Sequence, residues 1–115
     1  MAADVNFKRG DFVLAAGAGD YGKVRPNLVI QSDAFSEMSS VTVCPLTSDL
    51  RSDAPLIRID VDPSEKNGLQ LPSQIAIDKI TTIPVSRLAK TIGVADDDVM
   101  LQVTRAVAVF LGVGS

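Results

Sequence analysis

The chain has no histidine and no tryptophan, and only one cysteine and one tyrosine. Each scarcity removes a class of function. Without histidine, the side chain that most often moves protons near neutrality is missing, and so is the commonest transition-metal ligand. A zinc site would need cysteines or carboxylates, and one cysteine is too few. No metal or cofactor is expected, and catalysis must draw on Arg, Lys, Asp, Glu, Ser, Thr or Tyr. Cys44 can form no internal disulfide and sits in an apolar run, so it reads as a buried thiol. Aromatics are 4% of the residues, which leaves the core to Val, Ile, Leu and Ala. No run reaches the ~18–20 apolar residues of a membrane span. No basic stretch leads into an apolar one near the start, as a secretory signal would require. The cytoplasm is therefore the expected compartment, with no membrane partner. A broad basic face is also absent. The net charge of −3 argues against a general DNA coater but leaves room for a small cationic site.

What is present fits one globular domain over residues 1–115, with 46% hydrophobic and 22% charged residues. Short apolar segments at 11–15, 25–31, 41–46, 55–61 and 73–83 read as strands. Glycine-rich or polar stretches at 16–23, 32–40, 47–54 and 63–68 separate them. Pro45 near the end of the third strand suggests an edge or a bulge. In 73–83 the apolar phase changes after Asp78, which suggests a bulge. Residues 84–93 read as a helical turn before a last short strand. Residues 95–114 are the clear helix. Asp96, Asp97 and Asp98 favour its dipole, and Val99, Val103, Ala106, Val107 and Phe110 form its apolar stripe. The expected fold is mainly β, a small barrel or highly bent sheet with a C-terminal α-helix packed on it. There is no βαβ alternation, and "GAG" at 17–19 lacks the spacing and following helix of a phosphate-cradling loop. "RGD" at 9–11 reads as a strand-entry turn, since Asp11 leads directly into a strand.

Arg25 precedes Pro26, which restrains it to extended angles and fixes its own φ. The arginine thus leaves a rigid strand mouth beside a glycine-rich loop. Its residue type suits either a surface ion pair or an anion contact. Thr47 and Ser48 lie just past a strand end, where hydroxyls usually cap turns. Asp78 falls on the strand side opposite Ile77, lining a groove or facing solvent.

Four segments together resemble the MazF/PemK family of toxin endoribonucleases. They are "RGDFVLA" (9–15), "GKVRPNLVIQSD" (22–33), "VTVCPLTS" (41–48) and "GLQLPSQIAIDKITTIPVSRLAKTIG" (68–93). The resemblance implies an SH3-like β-barrel that acts as a homodimer. It implies cleavage of single-stranded RNA (mRNA) at short sequences without metal. It also implies a cognate antitoxin whose flexible acidic segment blocks the RNA groove. By this similarity Arg25 matches the catalytic arginine of a G-x-x-R-P motif and Thr47 the catalytic threonine. Asp78 matches the aspartate that PemK-type members use as a base. PemK-type members also place an arginine where Ala76 stands and use a histidine, so the MazF-type Arg/Thr pair is the better match.

RNA is cut when its 2′-hydroxyl attacks the adjacent phosphate. A protein must then remove that proton, stabilise charge on phosphate oxygens and protonate the leaving oxygen. Arg25 suits paired hydrogen bonds to phosphate. Thr47 suits one more, and Asp78 suits orientation or proton removal. Lys23, Arg51 and Lys79 are candidates for a local positive field, Ser48 and Ser73 for hydroxyl contacts to RNA, and Tyr21 for stacking on a base. Two other classes compete. CcdB-like gyrase inhibitors share the barrel, but their activity resides in a Trp-Gly-Ile ending, and this chain ends "FLGVGS". A catalytically silent barrel that only binds an antitoxin needs neither Arg25 nor Thr47.

Overall fold

The computed structural model describes residues 6–16 and 23–114. Tyr21 and most of the 16–23 loop lie outside them. Seven strands form one antiparallel sheet: β1 (Asp11–Ala16), β2 (Val24–Val29), β3 (Ser40–Thr47), β4 (Arg58–Val61), β5 (Ser73–Ala76), β6 (Thr81–Pro84) and β7 (Leu88–Val94). The order is β4-β5-β3-β2-β1-β7, with β6 also on β3. The helix α1 (Asp97–Leu111) follows. The molecule is thus mainly β with one C-terminal helix.

The long strand β3 organises the sheet. Its first half pairs with β6 and its last residues with β5, while β2 runs along its other edge. The segment 73–83, expected as one bulged strand, is therefore two strands. A 3-10 turn at Ile77–Lys79 separates them and absorbs three residues. Pairing along β3 stops at Val43 and resumes at Leu46. Pro45, which has no N–H to give, sits at that break and not on an edge strand. The 55–61 strand is also shorter than expected. The amides of Ile57 and Arg58 turn back to the Ala54 carbonyl, so β4 starts at Arg58.

Adjacent apolar residues go to opposite faces of the sheet. Phe12, Leu28, Cys44, Leu46, Ile75 and Ile77 join Val103 and Ala106 of α1 in one core. Val13, Ala15, Val29, Val41, Val43, Ile83 and Leu88 form a second on the other face. Strands buried on both faces read as unbroken apolar runs, which is why "FVLA" and "LVI" show no alternation. Helix α1 packs through the middle of its stripe. Gly112 at φ +73° ends it. Phe110, expected in the stripe, is instead exposed, as are Val109 and Leu111. The core under the helix ends before its last turn.

"RGD" is the expected strand-entry turn, and it also ties elements together. The Lys8 amide donates to Asp11 Oδ2 at 2.9 Å, and the Arg9 amide to Asp33 Oδ1 at 2.7 Å. The Arg9 guanidinium donates to the Ile30 carbonyl and to Thr104 Oγ1 of α1.

The segment before β5 is pressed onto β7. A Cβ on Gly68 would lie 2.1 Å from the Ile92 carbonyl oxygen, and one on Gly93 would lie 2.3 Å from the Asn67 backbone. Gly68 also has φ +69°, so glycine is required there twice over. Asn67 is buried and bonded through both ends of its amide. Its Oδ1 accepts from the amides of Ser64 and Leu69, and its Nδ2 donates to the Asp62 carbonyl. This turn holds Gly68–Leu71 in place as one wall of the site.

Candidate active site

Two strand ends meet at the site. Arg25 lies on β2 opposite Ala15 of β1. The neighbouring ladder pairs Asn27 with Pro45. That ladder ends there, and two residues beyond it on each strand stand Arg25 and Thr47, which line the same cavities. The buried Asn27 fastens this end: its Nδ2 donates to the Arg25 carbonyl at 2.9 Å. Pro26 restrains the arginine from the other side. Thr47 closes β3, and its Oγ1 accepts from the Asp49 amide at 3.0 Å. The hydroxyl proton of Thr47 is thereby left to donate elsewhere.

Arg25 and Thr47 form a ridge between two cavities, of about 490 Å³ and about 580 Å³. Lys23, Ser48, Ser73, Gln70 and Leu71 line the first. Arg58, Lys79 and Arg87 line the second. Asp49 lines both, the one carboxylate among the described residues that does so. The balance of charge around the ridge is positive although the chain carries −3 overall. A ridge with a guanidinium, a hydroxyl donor and flanking cations suits a phosphate with chain running to either side.

The candidates from sequence divide. Arg25, Thr47, Lys23, Ser48, Ser73 and Lys79 are brought together. Ser73 Oγ already donates to the Leu71 carbonyl at 2.9 Å, so its proton is spent on the cavity wall. Arg51 lines neither cavity. Its guanidinium forks onto Asp53 with both bonds at 3.1 Å, on the exposed surface. Its backbone matters more than its charge. The Arg51 amide donates to Gln74 Oε1 and the Arg51 carbonyl accepts from Gln74 Nε2. The buried Gln74 thus pins the loop after Thr47 to β5.

Asp78 also lines neither cavity. It sits on the Ile77–Lys79 turn, where Arg58 Nε donates to Oδ1 at 2.9 Å and Nη2 to Oδ2 at 3.1 Å. These hydrogen bonds are the main reason its pKa is lowered from the ordinary carboxylate range. Arg58 is the cross-strand partner of Ala76 in the ladder. The position where the resemblance implies an arginine is thus faced by one from the next strand. Burial, and secondarily the charge of Asp78, push the Cys44 thiol up to about 12, so it is no nucleophile near neutrality.

Reading the sequence missed Arg58, Asp49, Gln74 and Arg87. The alternation in "LIRIDV" places Arg58 on the polar face, but nothing local links it to Asp78, twenty residues on. Gln74 carries a clearer signal, a polar residue beside "IAI" in a strand with both faces covered.

Comparison with known proteins adds identity to this geometry. A relative in Mycolicibacterium smegmatis, described as a probable endoribonuclease MazF, is 45% identical over 92% of this chain and 97% of its own length. Endoribonuclease EndoA of Bacillus subtilis is 30% identical over 90% of this chain and 93% of its own. Among solved structures, the Mycobacterium tuberculosis toxin MazF-mt6 superposes with a TM-score of 0.77 at 25% identity, over 91% of this chain and 99% of that one. A mycobacterial endoribonuclease solved with its cognate antitoxin gives 0.80 at 20% identity, over 96% and 99%, which speaks to the fold. The family model for PemK-like, MazF-like toxins of type II toxin-antitoxin systems matches residues 8–111, and the chain belongs to that family.

Proposed function

We propose that this toxin cleaves single-stranded RNA at the ridge formed by Arg25 and Thr47. The observation that carries the reading is that both residues line each of two cavities in which basic side chains outnumber acidic ones. Relatives named as endoribonucleases support it over nearly the whole chain. The 2′-oxygen attacks phosphorus, and the bond to the 5′-oxygen breaks. A 2′,3′-cyclic phosphate and a 5′-hydroxyl result, the leaving 5′-oxygen taking its proton from water. Arg25 holds two phosphate oxygens and stabilises the charge that develops on them. Thr47 donates to the same group. Asp49, the carboxylate lining both cavities, takes the 2′ proton that no histidine is present to take. Asp78, bonded to Arg58, orients that arginine. Lys23 and Ser48 in one cavity and Lys79 in the other hold the chain on either side of the cut, and Tyr21 stacks on a base.

The finer architecture belongs to the same proposal. The bent sheet is an SH3-like barrel in a single domain, two copies form the working dimer, and no metal takes part. A cognate antitoxin places an acidic segment over the cationic ridge. Among the described residues no helix is long and apolar enough to cross a membrane, which accords with action on mRNA in the cytoplasm. The test is incubation with a long single-stranded RNA in excess EDTA, for wild type and Arg25→Ala. Cleavage by wild type and none by the variant is expected. An intact RNA pool with wild type would overturn the ribonuclease reading. Equal cleavage by both would remove Arg25 from the mechanism.

A further inference from the structure

The second cavity holds an arginine that the cleavage step leaves unused. Arg58 lines it together with Arg25 and Thr47. The Arg58 side chain is 9% exposed, so its stem is encased, and its head is fixed by two bonds to Asp78. A guanidinium presents five N–H donors in a planar fork. Asp78 occupies Nε and one hydrogen of Nη2. Nη1 and the second Nη2 hydrogen remain for another oxygen ligand. Lys79 and Arg87 line the same cavity and add positive charge that Asp78 does not cancel. A fixed fork among cations, in the cavity that Arg25 and Thr47 also line, suits a second phosphate.

We propose that Arg58 binds a backbone phosphate of single-stranded RNA adjacent to the scissile one, with Asp78 as the positioning residue that aims it. The proposal rests on the ribonuclease reading for the identity of its ligand. Asp78 then affects substrate binding through Arg58 and takes no proton itself.

The test uses the full chain and a short labelled single-stranded RNA with 2′-O-methyl sugars, which lacks the attacking hydroxyl. Affinity is measured across a salt series for wild type, Arg58→Ala, Arg58→Lys and Asp78→Asn, with thermal unfolding of each. Arg58→Ala is expected to bind about tenfold or more weakly. Its salt dependence should flatten by about 0.7 in log–log slope, the loss of one phosphate contact on a single strand. Arg58→Lys keeps the charge and loses the fork, so it should bind several-fold weaker with the slope unchanged. It also decides the matter if the alanine variant does not fold. On cleavable RNA, Asp78→Asn should raise KM and leave kcat near wild type. Wild-type affinity and slope in a folded Arg58→Lys or Arg58→Ala protein would overturn the proposal. So would a kcat loss at unchanged KM in Asp78→Asn, or a wild type that binds no such probe. A wild type that binds the probe and leaves RNA uncut refutes the ribonuclease reading alone, and the Arg58 variants still decide the phosphate site.

Discussion

Arg25 and Arg58 share one cavity and are placed from opposite ends. Arg25 is positioned through its backbone, by Pro26 and by the bond from Asn27 to its carbonyl. Arg58 is positioned through its head, by two bonds to Asp78. Backbone placement delivers a residue to a strand mouth through bonds that its side chain does not make. Head placement fixes the donor directions and offsets part of the charge. Arg58 thus shares the positive field of the cavity with Arg25, Lys79 and Arg87 and adds fixed geometry. The two devices also differ in what they cost when broken. Truncating Arg25 leaves its backbone anchor from Asn27 in place, whereas loss of Arg58 leaves Asp78, about one-fifth exposed, without its cation.

The largest effect should come from the backbone-placed arginine. Arg25→Ala is expected to lower kcat on single-stranded RNA by about a hundred- to a thousandfold, the scale of losing a charge-stabilising donor. Its thermal midpoint should stay near wild type, and a large drop in that midpoint would erase the contrast with Arg58. Next, Asp49→Asn should lower kcat at least about tenfold, while Asp78→Asn does not. A reversal of that order in single-turnover rates would return Asp78 to the role of base.

The third effect is on stability. The Asp78 pKa is lowered in the folded protein, chiefly by its hydrogen bonds from Arg58. A lowered carboxylate pKa contributes stability above the unfolded value, near 4, and loses it as pH falls through the folded value. Asp78→Asn should therefore cost about 1–3 kcal/mol at pH 7 in urea unfolding. The gap should narrow below about pH 4, and a gap independent of pH would contradict this linkage. The smallest effect should be at Arg51, whose fork onto Asp53 lies on the exposed surface and is screened by solvent. Arg51→Ala is expected to cleave within about threefold of wild type at 0.15 M salt, where exposed charges are largely screened. Gln74→Ala, which unpins the same loop, should do more damage, read as a rise in KM.

Much of the fold was legible because it is written in local pattern. The apolar runs, the polar breaks between them and the acidic start of α1 place most strands and the helix. Arg25 and Thr47 were singled out by the resemblance of four segments to a family; Pro26 and a strand end alone left each open between a structural and a functional role. The 3-10 turn at Ile77–Lys79 was not legible. A phase change looks the same whether a bulge or a turn causes it, and only the pairing of β3 with both β5 and β6 distinguishes them. Phe110 fits the helical period as well as Val103 does, but period says nothing of where the core beneath it ends.

By itself the sequence determined the chemistry available: no histidine, a proline-locked arginine, a hydroxyl at a strand end and a mainly β chain with one helix. These are properties of residues and their near neighbours. The tertiary structure decided which charges share a cavity. It brought Arg58 across the ladder from Ala76 and onto Asp78, moved Arg51 to the surface and set Asp49 beside both cavities. The Arg58–Asp78 pair and the cavities depend on distances between residues far apart in the chain, which strand register and the turns between strands set together.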